Sequence, residues 1–358
     1  MNQRSDILIL GGGLMGLAIA VELKLRGLSV TVISRDFEQA AGHAAAGMLA
    51  PRSEAIPPGP MLDLCLKSRE LYPEWIDKLQ HLSGLDIDYQ DCGILAPVFT
   101  LPEVDDHQGI WLDENALQLY QTNLGSEVVG AWWYPEDGQV DNRQLMQALQ
   151  MAAHNLGVQV QEGITVNSIQ QRHRQVTSIS TSQGEWQAQS YILATGSWAH
   201  QLLPLPVHPV KGQMAAVRMP PGETRLQRLL FASPTYLVPR KNGRLIIGAT
   251  AESVAWGEGN TPNGIQDLLD RAIRLYPPLA DWAIEDIWWG FRPGTADEMP
   301  ILGAGFCDNL ILAVGHYRNG ILLAPITASL IADLVCQSPT DPLLNSFAWD
   351  RFPSPPEL

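Results

Sequence analysis

Metal-ligand spacings are missing from this sequence. The cysteines, Cys65, Cys92, Cys307 and Cys336, are spread over 358 residues without a CxxC pair. That spacing excludes a zinc ribbon, a thioredoxin-like redox pair and a disulfide-dense secreted scaffold. His43, His81, His107, His154, His173, His200, His208 and His316 are scattered likewise, with no HExxH, so no metal is expected. Positive charge is also scarce: 23 Lys and Arg stand against 38 Asp and Glu, a formal charge of −15. Nucleic acid and anionic membrane surfaces both need clustered Lys and Arg, so neither is an expected partner, and small molecules are favoured. No internal repeat or low-complexity tract is present. The apolar run 7–21 behind Arg4, with small residues at Ala18 and Ala20, has the outline of a signal peptide. Glycines interrupt it, and it is shorter than the ~20 residues that cross a bilayer. A reduced, cytoplasmic protein is the expectation.

What is present begins at residues 6–36, which read as strand, tight turn, helix, strand. The apolar run 7–10 fits a strand buried on both faces, and it ends at glycine. Gly11, Gly13 and Gly16 then form GxGxxG. The motif supplies a positive-φ turn, a close backbone approach to a pyrophosphate, and a face without side chains where helix meets sheet. The helix expected over 14–26 opens with Leu14 and Met15 and points free N–H groups at the phosphates. Gly27 stops it, and residues 29–33 supply a second, parallel strand. A dinucleotide-binding unit is expected. Where such units usually carry an acid for the ribose hydroxyls, this chain has Ser34 followed by Arg35. Two readings stay open there: a 2′-phosphate site, hence NADP, or a ribose held by Ser34 or Asp36 with Arg35 over the adenine.

At this length two domains sharing an interface are expected. Residues 42–48 are small and bring backbone close to something flat, a cofactor or a neighbouring helix. Leu62, Leu66, Leu71, Trp75 and Leu79 recur at helical spacing, read as a helix pair broken at Pro73. Short alternating runs over 85–135 suggest a β-rich insertion. Helical periodicity returns over 141–157, then a strand over 158–166, a hairpin over 169–188 and a buried strand ending at Ala194, Thr195 and Gly196. Residues 206–289 are strand-rich around one amphipathic helix at 264–276. Trp288 and Trp289 should face opposite ways, one into the core and one toward a pocket. A last strand at 310–314 leads to a closing helix expected over 325–335, with Pro325 at its first position. The proline-rich tail after Gln337 reads as extended and peripheral.

Six stretches then form one pattern: GGGLMG at 11–16, AAAGM at 44–48, ATGSW at 194–198, YLVPRKNGRLIIGAT at 236–250, GFRPGTADEMPILG at 290–303 and GHYRNGILLAP at 315–325. Together they resemble the FAD-dependent amino-acid oxidases, and most of all the glycine oxidases associated with thiamine biosynthesis, over residues 6–333. The resemblance implies an α/β fold. Its Rossmann-like FAD-binding domain would comprise 1–84, 138–206 and 291–358, and its discontinuous antiparallel-sheet substrate domain 85–137 and 207–290. It implies oxidation of glycine, small amines or D-amino acids to the imine by hydride transfer to noncovalent FAD, with oxygen giving hydrogen peroxide and hydrolysis giving glyoxylate and ammonia. A thiazole synthase is the implied taker of the imine, and a homo-oligomer is expected. A dehydrogenase using another electron acceptor is the rival activity, and a tRNA-modifying or non-catalytic flavoprotein a third, more distant reading.

The same resemblance assigns residues. Arg292 would pair with the substrate carboxylate, since a planar guanidinium grips it by two parallel hydrogen bonds. Arg318 would stand beside substrate and flavin, and Tyr236 would face the substrate. Otherwise Arg292 is a salt bridge and Tyr236 a core aromatic. The cofactor would touch Gly11, Gly13, Leu14, Met15, Gly16, Ser34, Arg35, Ala46, Gly47, Met48, Val166, Thr195 and Gly196. It would also touch His316, Tyr317, Arg318, Asn319, Gly320, Ile321 and Leu322, with His316 acting through its backbone or serving as a solvated helix cap.

Overall fold

The computed structural model describes residues 3–102, 108–221, 226 and 228–352. His107, Pro353, Pro355, Pro356 and the side chain of Arg4 lie outside the described set. Strand β1 (Gln3–Leu10) runs into helix α1 (Leu14–Leu25) and strand β2 (Val30–Ser34). Ile7 pairs with Val30 on one side and with Ser190 on the other, both in parallel. Leu8, Ile9 and Leu10 are fully buried, as a strand covered on two faces requires. The run 7–21 therefore forms the centre of the fold.

Around β1 an eight-stranded sheet is assembled from distant segments. Gly184–Leu193 and Leu310–Val314 extend it in parallel, Gln159–Glu162 lies beyond β2, and a hairpin, Val166–Arg172 with Gln175–Thr181, closes one edge. The strand expected at 158–166 is thus two strands. They are separated by Gly163, whose φ of +76° suits glycine. A second eight-stranded sheet takes Ile94–Val98, Ile110–Asp113, Gly130–Tyr134 and the strands between His208 and Gly294. Its β-rich insertion also contains a helix, Glu114–Tyr120, capped by Asp113 through Ala116 N–H. Ala283–Gly294 pairs with His208–Arg218, with one register shift between Ala216 and Val217, and ends at His208 opposite Gly294. Arg292 therefore sits on the second sheet, past the boundary drawn at residue 290. A three-stranded sheet of Met48–Leu49, Gly138–Val140 and Tyr89–Gln90 joins the two halves.

Two prolines, Pro73 read as a break and Pro325 as a helix start, lie inside helices. The helix Pro60–Ser83 continues through Pro73, because Tyr72, Trp75, Ile76 and Leu79 on its inner face are buried and burial outweighs one lost bond. The closing helix is Gly320–Val335, not 325–335. Pro325 has no N–H for the Ile321 carbonyl, and that carbonyl accepts Tyr72 Oη at 2.5 Å instead. Ser68 Oγ donates to the next carbonyl, Leu322, at 2.6 Å. Residues 317–335 are apolar and long enough to cross a membrane, yet 61% of that window is buried inside the protein as a core helix. The tail is not wholly extended: Pro342–Phe347 and Trp349–Arg351 form 3-10 turns, and Leu344 and Phe347 are buried against the first sheet's helices.

Candidate active site

A cavity of about 670 Å³ runs from the β1–α1 turn to the second sheet. Its first wall is that turn. Gly11 has φ +110°, and a Cβ there would collide with the Ala194 carbonyl. Gly16 is similarly closed by the Gly11 carbonyl and lies behind the wall rather than on the cavity, so its role is packing. Gly13 differs: an added Cβ would meet only Ala40 Cβ, at 3.5 Å. The protein itself would tolerate a side chain at Gly13, so the space beside it is left for a ligand. Gly13 is also the N-cap of α1 without a side-chain cap bond, and no acidic residue occupies the first turn. Free N–H groups and the positive end of the helix dipole therefore face the cavity.

Leu14, Met15, Ser34, Arg35, Asp36, Ala46, Gly47, Met48, Val166, Thr195 and Gly196 line the same cavity. Arg35 donates from Nη2 to Gln39 Oε1 at 2.8 Å, and its Cζ stands over the Trp198 ring, 4.8 Å from the centroid. Thr195 Oγ1 is buried without a hydrogen-bond partner among the described residues, which marks a place for a polar ligand atom. The AAAGM stretch is held by Arg240, which sequence reasoning missed although it ends the YLVPR run. Its guanidinium is almost fully buried and donates to the Ala46 carbonyl at 2.7 Å, Asn142 Oδ1 at 3.2 Å, Gln139 Oε1 at 3.0 Å and the Val140 carbonyl at 3.1 Å. Asp141 stands 3.7 Å away as counter-charge. Gly47, at φ +75°, leaves no room for a Cβ against Val140.

The far wall carries chemistry-bearing side chains. Arg292 donates from Nη1 to the Thr250 carbonyl at 3.1 Å, lies over Gly212, and forms no ion pair among the described residues. Tyr236 lies beside it, its hydroxyl 3.5 Å from Met214 Sδ, and burial pushes its phenol up against the pull of the Arg292 charge. Gly320 and Ile321 line the wall from the start of the closing helix, and His316, Tyr317 and Arg318 from the turn just before it. That helix also starts without a side-chain cap. His316 is not a solvated cap. It is buried, its Nε2 lies 3.1 Å from Thr327 Oγ1, and desolvation pushes its pKa down to about 3, so the ring is neutral. Asn319 and Leu322 do not line the cavity, because the first helical turn rotates Leu322 into the core beside Ser68. Neither Trp288 nor Trp289 lines it: both border an adjoining cleft, with Trp288 Nε1 bonded to the Ala44 carbonyl at 3.0 Å. Glu54, also overlooked in the sequence, lines the cavity six residues beyond the AAAGM stretch, with no signal in composition or spacing to single it out.

A family model, FAD dependent oxidoreductase, matches residues 6–334. The chain belongs to that family. FAD is its cofactor, and the uncapped α1 terminus, the open Gly13 and the orphaned Thr195 hydroxyl fit such a group. The bifunctional protein ThiO/ThiG of Synechocystis sp. is 62% identical over 358 residues, covering 98% of this chain and 55% of that protein. The chain thus spans about half the length of the curated relatives it matches first. A glycine oxidase of Geobacillus kaustophilus is 36% identical across 98% of both chains. The crystal structure of glycine oxidase from that organism superposes with a TM-score of 0.93 at 34% identity, covering 99% of this chain and 100% of the other. This member of the FAD-dependent oxidoreductases therefore has the expected α/β architecture.

Proposed function

We propose that the chain oxidises glycine, and more weakly other small amino acids, at the Cα–N bond. Released imine would hydrolyse to glyoxylate and ammonia, and oxygen would be reduced to hydrogen peroxide. The carrying observation is Arg292: a guanidinium on the cavity wall with one backbone bond and no carboxylate partner among the described residues. A substrate carboxylate completes that fork, and the two bonds fix where Cα lies. Bound FAD supplies the two-electron acceptor. The protein's part is position: Arg292 and Tyr236 would hold the carboxylate end, Arg318 would flank it, and the small residues 44–47 on the cavity wall would help hold the cofactor. The uncapped N-terminus of the closing helix favours negative charge at the cavity's end.

The relatives named glycine oxidase support the substrate, and the bifunctional name of the Synechocystis protein supports delivery of the imine to a thiazole-forming activity. Free thiols at Cys65, Cys92, Cys307 and Cys336 suit a cytoplasmic setting. Exposed Ile284 and Ile287 on the edge strand Ala283–Gly294 suit a homo-oligomer, which size-exclusion chromatography would test. The deciding experiment is a substrate panel with purified protein. Glycine should bleach the flavin without oxygen and yield peroxide with it; bleaching without peroxide would assign a different electron acceptor, and no bleaching by any amino acid would end this reading.

A further inference from the structure

Two acids stand at the turn after Met48–Leu49, and they are used differently. Asp137 is consumed by structure: it accepts from Arg52 N at 3.2 Å, Ser53 N at 2.8 Å and Ser53 Oγ at 2.9 Å, and pairs with Arg69 at 3.1 Å. Those bonds pin residues 52 and 53, and the Ala50 carbonyl then accepts Glu54 N–H at 3.0 Å. The pinned turn sets Glu54 on the cavity wall with Arg292, Arg318 and Tyr236. Its carboxylate has no hydrogen bond or ion pair among the described residues. An acid held by its backbone and left free at its head is placed for something that enters the cavity. We propose that Glu54 takes the proton from the substrate's ammonium group, a role that rests on the amino-acid oxidation proposed above. One N–H bond breaks with its electron pair left on nitrogen, and an O–H bond forms on the carboxylate.

The surrounding charges suit the task. Burial pushes the Glu54 carboxyl up to about 7, against the pull of Arg318 and then Arg292, while Asp137 and Glu298 add to the rise. The Cys65 thiol behind it is itself pushed up by burial and stays neutral, and Tyr236 is likewise protonated. A base is most effective when its pKa lies near working pH. A substrate carboxylate docking on Arg292 cancels part of the positive field there, so Glu54 becomes a better base when it is needed.

The test uses the FAD-loaded enzyme and follows kcat/KM for glycine across neutral and alkaline pH. Wild type should show an acid limb near 7. Glu54→Gln should lose on the order of 10² at neutral pH and recover in the alkaline range, where the substrate amine ionises unaided. Glycolate, which has the carboxylate but no ammonium, should bind wild type and variant alike. Glu54→Asp should keep the acid limb at a lower rate. An unmoved limb in Glu54→Gln, a loss uniform in pH with weakened glycolate binding, or wild-type kinetics in Glu54→Asp would each overturn the role. A wild-type enzyme that oxidises no amino acid would instead remove the functional reading itself, and this role with it.

Discussion

Replacing Arg292 by alanine separates substrate binding from architecture. Within the protein Arg292 donates to the Thr250 carbonyl and leans on the Tyr236 hydroxyl, and it has no carboxylate partner among the described residues. Losing the bond to Thr250 should cost about 1 kcal/mol of stability. A substrate carboxylate left without its guanidinium in a desolvated pocket loses roughly 2 to 5 kcal/mol. At ~1.4 kcal/mol per decade, that is about 30- to 4,000-fold in kcat/KM for glycine. Arg292→Lys should recover little, since a point charge cannot form two parallel bonds. Gly212→Ala offers a gentler version, because a Cβ there occupies the place of the guanidinium and pushes it aside without removing its charge. The assay is steady-state kinetics on protein of matched FAD content, with a carboxylate-free amine as control. Equal losses for glycine and the amine would refute the reasoning, since Arg292 would then hold fold or flavin rather than substrate.

Gly13→Ala should fold normally and lose FAD affinity, measured by flavin fluorescence on titration. Gly11→Ala should destabilise the fold itself, because its Cβ meets the Ala194 carbonyl at φ +110°. Arg240→Met should cost about 3 to 5 kcal/mol and lower Tm sharply, since several buried acceptors and Asp141 lose their partner together. His316 has a folded pKa of about 3 against an ordinary 6.5, so between those values the unfolded chain binds more protons. Its contribution is fully present above 6.5 and is lost as pH falls toward 3; His316→Asn should flatten that part of the Tm profile.

Local chemistry was enough for the parts of this fold that depend on neighbours in sequence. The strand, glycine turn and helix of residues 6–36 follow from burial period and from backbone positions that only glycine tolerates, and Arg292 and Arg318 stand in motifs that made them candidates before any coordinates. The helix boundaries at Pro73 and Pro325 were not readable in this way. A lone proline signals a break unless a distant group satisfies the freed carbonyl, and that group, Tyr72 Oη for Ile321, lies 249 positions away. The same limit hid Arg240 and Glu54. One is defined by acceptors on the Ala46 and Gly138–Val140 segments, the other by the bonds Asp137 makes to its neighbours, and neither constellation exists until the two sheets close on one another. The sequence by itself determined the nucleotide-binding unit, because that rests on local backbone chemistry, and it made Arg292 and Arg318 candidates only through motifs that resemble a family's. Tertiary structure alone decided which buried charges are spent on architecture and which remain free to face a substrate, because hydrogen-bond satisfaction is a property of the packed whole.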